Sequence, residues 1–131
     1  MVGIVLVSHS EKLAEGLKEM VGQLSDGTVA VAAAGGGPEG ELGTSAEKIR
    51  AAILSVAGPD GVLVLVDLGS ATLSTETAIE MLDPLPCEVR ISDAPLVEGA
   101  VVSVIHAGIG DSLDAIMAAA EGARNISKNL D

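Results

Sequence analysis

Two uninterrupted apolar runs constrain how this chain can fold more than any other feature. Residues 2–7 read VGIVLV and residues 62–66 read VLVLV, without the polar alternation of a strand that faces water on one side. Strands of continuous Val, Ile and Leu are buried on both faces, and they belong to parallel sheets covered by helices on each side. The chain is therefore predicted to be an α/β protein built around a parallel sheet.

The order of the remaining elements narrows this architecture. Helical periodicity and capping residues follow each predicted strand, which gives the order βαβαβαβα and a final helix. This order predicts a three-layer, doubly wound, mostly parallel four-stranded sheet of order 2-1-3-4, with a switch point between strands one and three. The predicted strands are 2–7, 28–34, 62–66 and 87–91, the predicted helix caps are Ser8, Thr44, Ser70 or Thr72, and Asp93, and the last helix is predicted over 112–126.

Length and apolar content predict a single domain over residues 1–131. No apolar stretch reaches the ~20 residues that a membrane span needs. The apolar start follows no basic segment, so it is interpreted as a core strand rather than a signal peptide. The single Cys87 cannot form an internal disulfide, which fits a reducing compartment. We therefore expect a cytoplasmic protein without a membrane partner.

Charge and missing motifs exclude several common functions. The net charge of −12 argues against a nucleic-acid surface, and a chain without Phe, Tyr or Trp has no ring to stack on a flavin or a base. The glycine loops lack the lysine of a phosphate-binding P-loop, no GxGxxG follows the first strand, and no GxSxG is present. His9, His106 and Cys87 do not have the spacing of metal ligands, so no metal site is predicted.

A histidine and an aspartate follow the two apolar runs. His9 comes just after the first run, and Asp67 comes directly after the second. In parallel sheets ligands bind beyond the carboxyl ends of the strands, near the switch point, where both residues are predicted to lie. A neutral imidazole attacks phosphorus through one nitrogen, while a carboxylate that accepts the other N–H fixes its tautomer. His9 is the predicted nucleophile of a phosphohistidine carrier, with Asp67 as the residue that orients it.

Three predicted helix starts at the same edge could supply backbone N–H groups to phosphoryl oxygens. The candidate phosphoryl-binding residues are Ser10, Gly43, Thr44, Ser45, Gly69, Ser70, Ala71 and Thr72. The serines and threonines among them are also good N-cap residues, and capping alone would explain each one. Asp67 could likewise only cap a loop.

Two further features have simpler interpretations. The glycine-rich segment Gly35–Gly43 shows no periodicity and is interpreted as mobile surface rather than as a phosphate cradle. His106 falls near the end of a predicted helix, where a histidine stabilises the helix terminus. It is therefore not predicted to take part in the chemistry.

Four segments together resemble the DhaM family, the phosphotransferase subunits of phosphoenolpyruvate-dependent dihydroxyacetone kinases, whose first domain belongs to the mannose-type EIIA family. They are residues 3–10 (GIVLVSHS), 33–36 (AAGG), 42–49 (LGTSAEKI) and 64–71 (VLVDLGSA). The resemblance is in register over about residues 1–82 and implies the mannose-type EIIA fold. In this resemblance His9 matches the phosphorylated histidine and Asp67 matches its hydrogen-bonding partner.

The resemblance also implies partners and a route for the phosphoryl group. The donor would be phosphohistidine on HPr, and the acceptor would be ADP held on the DhaL subunit, which serves dihydroxyacetone bound by DhaK. The chain itself would bind no cofactor, would form a homodimer, and would depend on separate donor proteins. Two alternatives stay open, namely an EIIA domain of a mannose-type sugar transporter and a non-catalytic regulatory module that responds to phosphorylation.

Overall fold

The protein folds around a four-stranded parallel sheet. The structure, a computed structural model, describes residues 1–129. The strand order is β2-β1-β3-β4, which confirms the predicted order and switch point. The strands are β1 (Gly3–Ser8), β2 (Val31–Gly35), β3 (Val62–Val66) and β4 (Val89–Ser92).

Helices cover both faces of the sheet, as the continuous apolar strands predict. Side chains of β1 alternate between two aliphatic clusters, with Ile4 and Leu6 in one and Val5 and Val7 in the other. The first cluster is closed by α1, α4 and α5, and the second by α2 and α3. The helices are α1 (Glu11–Gly22), α2 (Ala46–Val56), α3 (Gly69–Glu80), α4 (Leu96–Gly108) and α5 (Leu113–Gly122), followed by a 3-10 helix (Ala123–Asn125).

The register of β1 and β3 positions the two residues that follow them. Val7 lies opposite Val66 in the parallel ladder. The Asp67 N–H continues this ladder by donating to the carbonyl oxygen of Val7 (3.1 Å). Asp67 is therefore delivered beside Ser8 and His9 at the carboxyl edge of the sheet.

The N-caps of three predicted helices are displaced by one or two residues. Ser10, not Ser8, is the N-cap of α1, and Ser45, not Thr44, is the N-cap of α2. Helix α4 begins after Pro95 rather than after Asp93, whose peptide and side chain bind the carboxyl-terminal segment instead. In each case the residue first predicted as the cap forms a tertiary hydrogen bond that the local sequence does not reveal.

The predicted elements also differ at their ends. The second strand begins at Val31 rather than at 28, and the fourth covers Val89–Ser92 rather than 87–91. The predicted last helix is divided, because α5 ends at Gly122 and a 3-10 turn follows. No helix in the described part of the chain combines the length and apolar character needed to cross a bilayer.

Candidate functional site

His9 and Asp67 are in direct contact at the switch point. His9 Nδ1 lies 3.0 Å from Asp67 Oδ1, and the His9 backbone N–H donates to Asp67 Oδ2 (2.9 Å). The imidazole is partly open to solvent, with 28% of its side-chain surface exposed, whereas Asp67 retains 16%. Two separate bonds to one carboxylate therefore fix both the backbone and the ring of His9.

The Asp67 carboxylate is saturated with hydrogen-bond donors. Ser8 Oγ donates to Oδ2 (3.0 Å), and the Leu68 N–H donates to Oδ1 (2.7 Å), in addition to the two donors from His9. Burial alone would raise the pKa of Asp67, but the hydrogen bonds from His9, Ser8 and Leu68 outweigh it and hold the pKa below its ordinary value. Asp67 is therefore ionised near neutral pH and keeps the imidazole proton on Nδ1.

The other ring nitrogen of His9 meets a hydroxyl from helix α3. Ser70 Oγ lies 2.9 Å from His9 Nε2. Because Nδ1 carries the proton, Nε2 presents its lone pair, and the Ser70 hydroxyl donates to it. The lone pair of Nε2 is therefore turned toward the Ser70 hydroxyl at the amino end of α3.

The amino end of helix α3 lies beside this nitrogen. It begins at Gly69, so its N-cap is Leu68 and not the predicted Ser70 or Thr72. Leu68 makes no side-chain capping bond, and the first turn contains no acidic residue. The first amides of a helix have no intrahelical acceptor, and they favour anions together with the helix dipole. Gly69 and Ser70 therefore bring the features of an anion site next to His9.

The remaining candidate residues divide into those close to His9 and those used elsewhere. The Gly43 N–H donates to the His9 carbonyl oxygen (2.9 Å), so this residue holds the backbone at the site. Thr44 Oγ1 pairs with Ser74 Oγ on α3 (2.5 Å). Ser10 and Ser45 act as helix caps, since their hydroxyls accept from the N–H groups of Leu13 and Lys48 respectively. The Ala71 N–H donates to the Leu68 carbonyl oxygen. Thr72 lines a groove beside Asp67.

The glycine-rich segment Gly35–Gly43 is anchored around the histidine. The Gly36 N–H donates to the Ser8 carbonyl (3.1 Å), and the Gly43 N–H binds the His9 carbonyl. Lys48 Nζ binds the Gly35 carbonyl (3.2 Å) and Glu11. The two ends of this segment are thus hydrogen-bonded to the backbone of Ser8 and His9, while its mobility stays a prediction.

We expect replacement of Gly35 by Ala to destabilise this site. An added Cβ would lie 2.6 Å from the Ser10 carbonyl oxygen and 2.7 Å from Glu11 Cα, which form the start of α1. Such overpacking costs about 1–3 kcal/mol of the free energy of unfolding, measured by chemical denaturation. Gly16→Ala is the matched control, because nothing lies within 4 Å of its added Cβ inside α1. Equal stability of the two variants would contradict this expectation.

A second histidine–aspartate pair lies at the opposite edge of the sheet. His106 lies in the last turn of α4, and its Nδ1 is 2.6 Å from Oδ2 of Asp111, which follows the helix. Helix carboxyl ends present carbonyl oxygens and favour cations rather than anions, so this pair lacks the surroundings that His9 has. The predicted helix-end role of His106 agrees with this placement. Cys87 is half-buried before β4, and residues 1–129 contain no group of three or more potential metal ligands.

Sequence reasoning missed three residues near the site. Ser8 was interpreted as a helix cap, but it is buried and donates to Asp67. Ser74 lies one helical turn after Ser70, and that spacing could have placed it on the same face. Arg124 binds Asp93 in the loop after β4, and it gave no local signal because Asp93 is 31 residues away in sequence.

The chain is thus an α/β domain with a parallel sheet of order 2-1-3-4 and a carboxylate-held histidine at its switch point. Residues 3–117 match the EIIA-man family, described as the fructose IIA component of the phosphotransferase system. The chain belongs to this family.

Curated relatives point to one branch of the family. The phosphoryl donor subunit DhaM of the PEP-dependent dihydroxyacetone kinase of Escherichia coli is 45% identical over 121 residues, which are 89% of this chain and 26% of that protein. The DhaM subunit of kinase 2 of Listeria innocua is 42% identical over 118 residues, 89% of this chain and 94% of that protein. The matched residues thus cover 94% of the shorter Listeria innocua protein but only 26% of the longer Escherichia coli protein.

A solved structure supports the same fold. The crystal structure of EF1359, a protein of unknown function, superposes with a TM-score of 0.79 at 38% sequence identity. The match covers 100% of this chain and 99% of that chain.

Proposed function

We propose that this protein is a phosphohistidine carrier that accepts a phosphoryl group on His9 Nε2 from phospho-HPr. It then passes the group to ADP held on a DhaL subunit, which supports phosphorylation of dihydroxyacetone bound by DhaK. The observation that carries this proposal is the contact between His9 Nδ1 and the charged Asp67, which leaves Nε2 nucleophilic. The names of the DhaM relatives support the choice of the kinase.

The two transfers balance without any further reactant. In the first, the Nε2 lone pair forms a bond to phosphorus as the P–N bond of the donor histidine breaks, and that electron pair returns to the donor imidazole. The proton stays on Nδ1, so Asp67 faces a positively charged phosphoimidazole. In the second, an oxygen of ADP attacks phosphorus, and the electron pair of the P–N bond returns to Nε2.

Ser70 and the start of α3 serve the group while it is carried. A phosphoryl group adds about −1.5 to −2 charges near neutral pH. The Ser70 hydroxyl, which donates to free Nε2, becomes a donor to a phosphoryl oxygen once phosphorus occupies that nitrogen. The free amides of Gly69 and Ser70 supply further donors. Of the remaining candidates, Gly43, Thr44 and Thr72 would shape the pocket.

In this function residues 1–131 act as one cytoplasmic domain that pairs with a second copy of itself. The domain holds no cofactor of its own, because the nucleotide belongs to the partner subunit. Because both transfers use His9 Nε2, the donor protein and the acceptor subunit bind at this site one after the other.

A reconstituted transfer assay tests this function. Phosphoenolpyruvate, enzyme I and HPr are mixed with the protein, and the products are followed by intact mass and peptide mapping. We expect an acid-labile gain of one phosphoryl group on His9 that is discharged by DhaL with ADP. A gain without that discharge would favour a transporter EIIA domain or a regulatory module. No gain from a competent donor would overturn the carrier function.

A further inference from the structure

A pair of hydroxyl groups joins helix α3 to the segment that precedes α2. Thr44 Oγ1 and Ser74 Oγ lie 2.5 Å apart, and both residues are half-buried. Ser74 follows Ser70 by four residues, so the two serines lie one turn apart on the same face of α3. This helix face therefore contacts His9 through its first serine and Thr44 through its second.

Thr44 belongs to a segment that is itself fixed at the reactive histidine. On one side of it, the Gly43 N–H donates to the His9 carbonyl oxygen (2.9 Å). On the other side, Ser45 is the N-cap of α2, and its hydroxyl accepts from the Lys48 N–H (3.2 Å). Because both neighbours of Thr44 are held by hydrogen bonds, its hydroxyl is a fixed point relative to the backbone of His9.

Helix α3 packs on the rest of the protein mainly through small side chains. Its buried residues are Ala71, Thr75 and Ala78, and the larger Ile79, toward the carboxyl end, is only partly buried. Small side chains interlock less deeply with neighbouring elements than Leu or Ile do, so packing alone resists a shift of this helix only weakly. A directional bond from Ser74 therefore has more influence on the position of α3 than it would have on a helix anchored by large side chains.

The position of the amino end of α3 decides where the Ser70 hydroxyl lies. Ser70 Oγ is 2.9 Å from His9 Nε2, and a hydrogen bond weakens steeply once its length and angle depart from the favoured values. In the proposed function the same hydroxyl becomes a donor to a phosphoryl oxygen. Misplacement of such a group by about 1 Å slows a reaction by a factor of up to about 10².

We propose that Ser74 and Thr44 are positioning residues, whose hydroxyl pair holds the first turns of α3 in the place that phosphoryl transfer requires. The group that they position is Ser70 Oγ, which contacts His9 Nε2 in the free protein and a phosphoryl oxygen in the carrier state. For the transfer step this proposal rests on the carrier function of His9. Ser74 and Thr44 touch no reacting atom, so their whole contribution passes through Ser70.

The first measurement needs no phosphoryl donor. The ¹⁵N shift of His9 Nε2 reports whether a hydroxyl donates to its lone pair, because loss of that hydrogen bond moves the signal downfield. We expect Ser74→Ala, and the similarly shaped Thr44→Val, to move this signal in the same direction as Ser70→Ala does. Ser74→Thr, which keeps a hydroxyl, should retain most of the signal position of the unsubstituted protein. An unchanged Nε2 signal in both Ser74→Ala and Thr44→Val would overturn the proposal.

The second measurement is single-turnover phosphorylation of His9. It is made against the concentration of phospho-HPr and, separately, with phosphoramidate, which needs no protein surface. For Ser74→Ala we expect the maximal rate with phospho-HPr to fall about tenfold at an unchanged half-saturating concentration. The rate with phosphoramidate should fall by a similar factor, because the displaced hydroxyl acts at Nε2 in both reactions. A loss confined to phospho-HPr would contradict positioning, since it would indicate a contact with the donor protein instead.

A double variant tests whether Ser74 acts through Ser70. Once Ser70→Ala has removed the positioned hydroxyl, adding Ser74→Ala should lower the rate by no more than about twofold. If the two losses multiplied in full, Ser74 would act on the reaction independently of Ser70, and the proposal would fail.

Thr77→Ala is the matched control. Thr77 lies on the same helix, but its hydroxyl donates to the Leu73 carbonyl oxygen of α3 itself (3.1 Å) and joins no second element. This variant should keep the Nε2 signal and both rates, and losses equal to those of Ser74→Ala would contradict a specific role of the Thr44 link. Chemical denaturation verifies that Ser74→Ala is folded, as expected because Ala favours a helix more than Ser does.

The two measurements separate this proposal from the function on which it rests. If the unsubstituted protein accepted phosphoryl from neither donor, the carrier function would fail. The Nε2 signals of the Ser74 and Thr44 variants would still decide whether the hydroxyl pair positions Ser70.

Discussion

Phosphoryl acceptance is expected to disappear completely when His9 is replaced by Gln. The Gln amide has a similar reach and can still face Asp67, but its nitrogen lone pair is delocalised and does not attack phosphorus. Because the ring is partly exposed and Gln can replace one hydrogen bond, the free energy of unfolding should change by at most about 1–2 kcal/mol. Intact mass after incubation with the donor system, together with chemical denaturation, measures both effects.

His106→Gln provides the control for this variant. The residue type, the substitution and the aspartate partner are the same, but the pair lies at the carboxyl end of α4. This variant should gain one phosphoryl group, as the unsubstituted protein does. Residual acid-labile phosphate on the His9→Gln variant would show that another residue accepts the group, and would contradict the assignment of Nε2.

Replacing Asp67 by Asn should slow phosphorylation of His9 by about 10²- to 10⁴-fold. Both oxygens of the Asp67 carboxylate accept hydrogen bonds, whereas an Asn side chain replaces one of these oxygens by an NH₂ group that donates. If that group donates to Nδ1, the imidazole proton moves to Nε2 and the nucleophilic lone pair is lost. The transfer rate and the ¹⁵N shifts of the imidazole nitrogens measure this change. A slow rate with the proton still on Nδ1 would contradict the tautomer explanation.

The same variant should lose stability in a pH-dependent way. One or more donors from Ser8, His9 or Leu68 would be left unpaired, which costs about 1–3 kcal/mol at neutral pH. Since folding lowers the pKa of Asp67, its charged form stabilises the protein above the unfolded pKa of about 4. That contribution is lost as the pH falls through the lower, folded value. The stability gap between the two proteins should therefore narrow in acid, and a constant gap would contradict the role of the charge.

The sheet could be predicted from the sequence because its signals are local. The runs at 2–7 and 62–66 are apolar on every residue, and short Val- and Leu-rich runs of this kind are typical of strands buried on both faces. Chain order and right-handed crossovers then give the strand order, so the positions of His9 and Asp67 at one edge followed directly.

The details of the site could not be predicted in the same way, because they depend on competition between partners. Ser8 and Ser10 are equivalent as capping residues, and only the register that brings Asp67 beside Ser8 decides between them. The link between Thr44 and Ser74 joins two elements that are 30 residues apart. The position of the Arg124 side chain depends on where α5 ends, and the sequence around Gly122 does not by itself determine that end.

The purely aliphatic core has a practical consequence for observing this protein. Neither cluster contains an aromatic side chain, and the whole chain has none, so the protein has no intrinsic fluorescence. A tryptophan introduced at the exposed Leu68 position would be the sole fluorophore of the chain, beside the carboxylate that holds His9. Its emission would then report on the electrostatic and solvent environment of that position without background from the rest of the molecule.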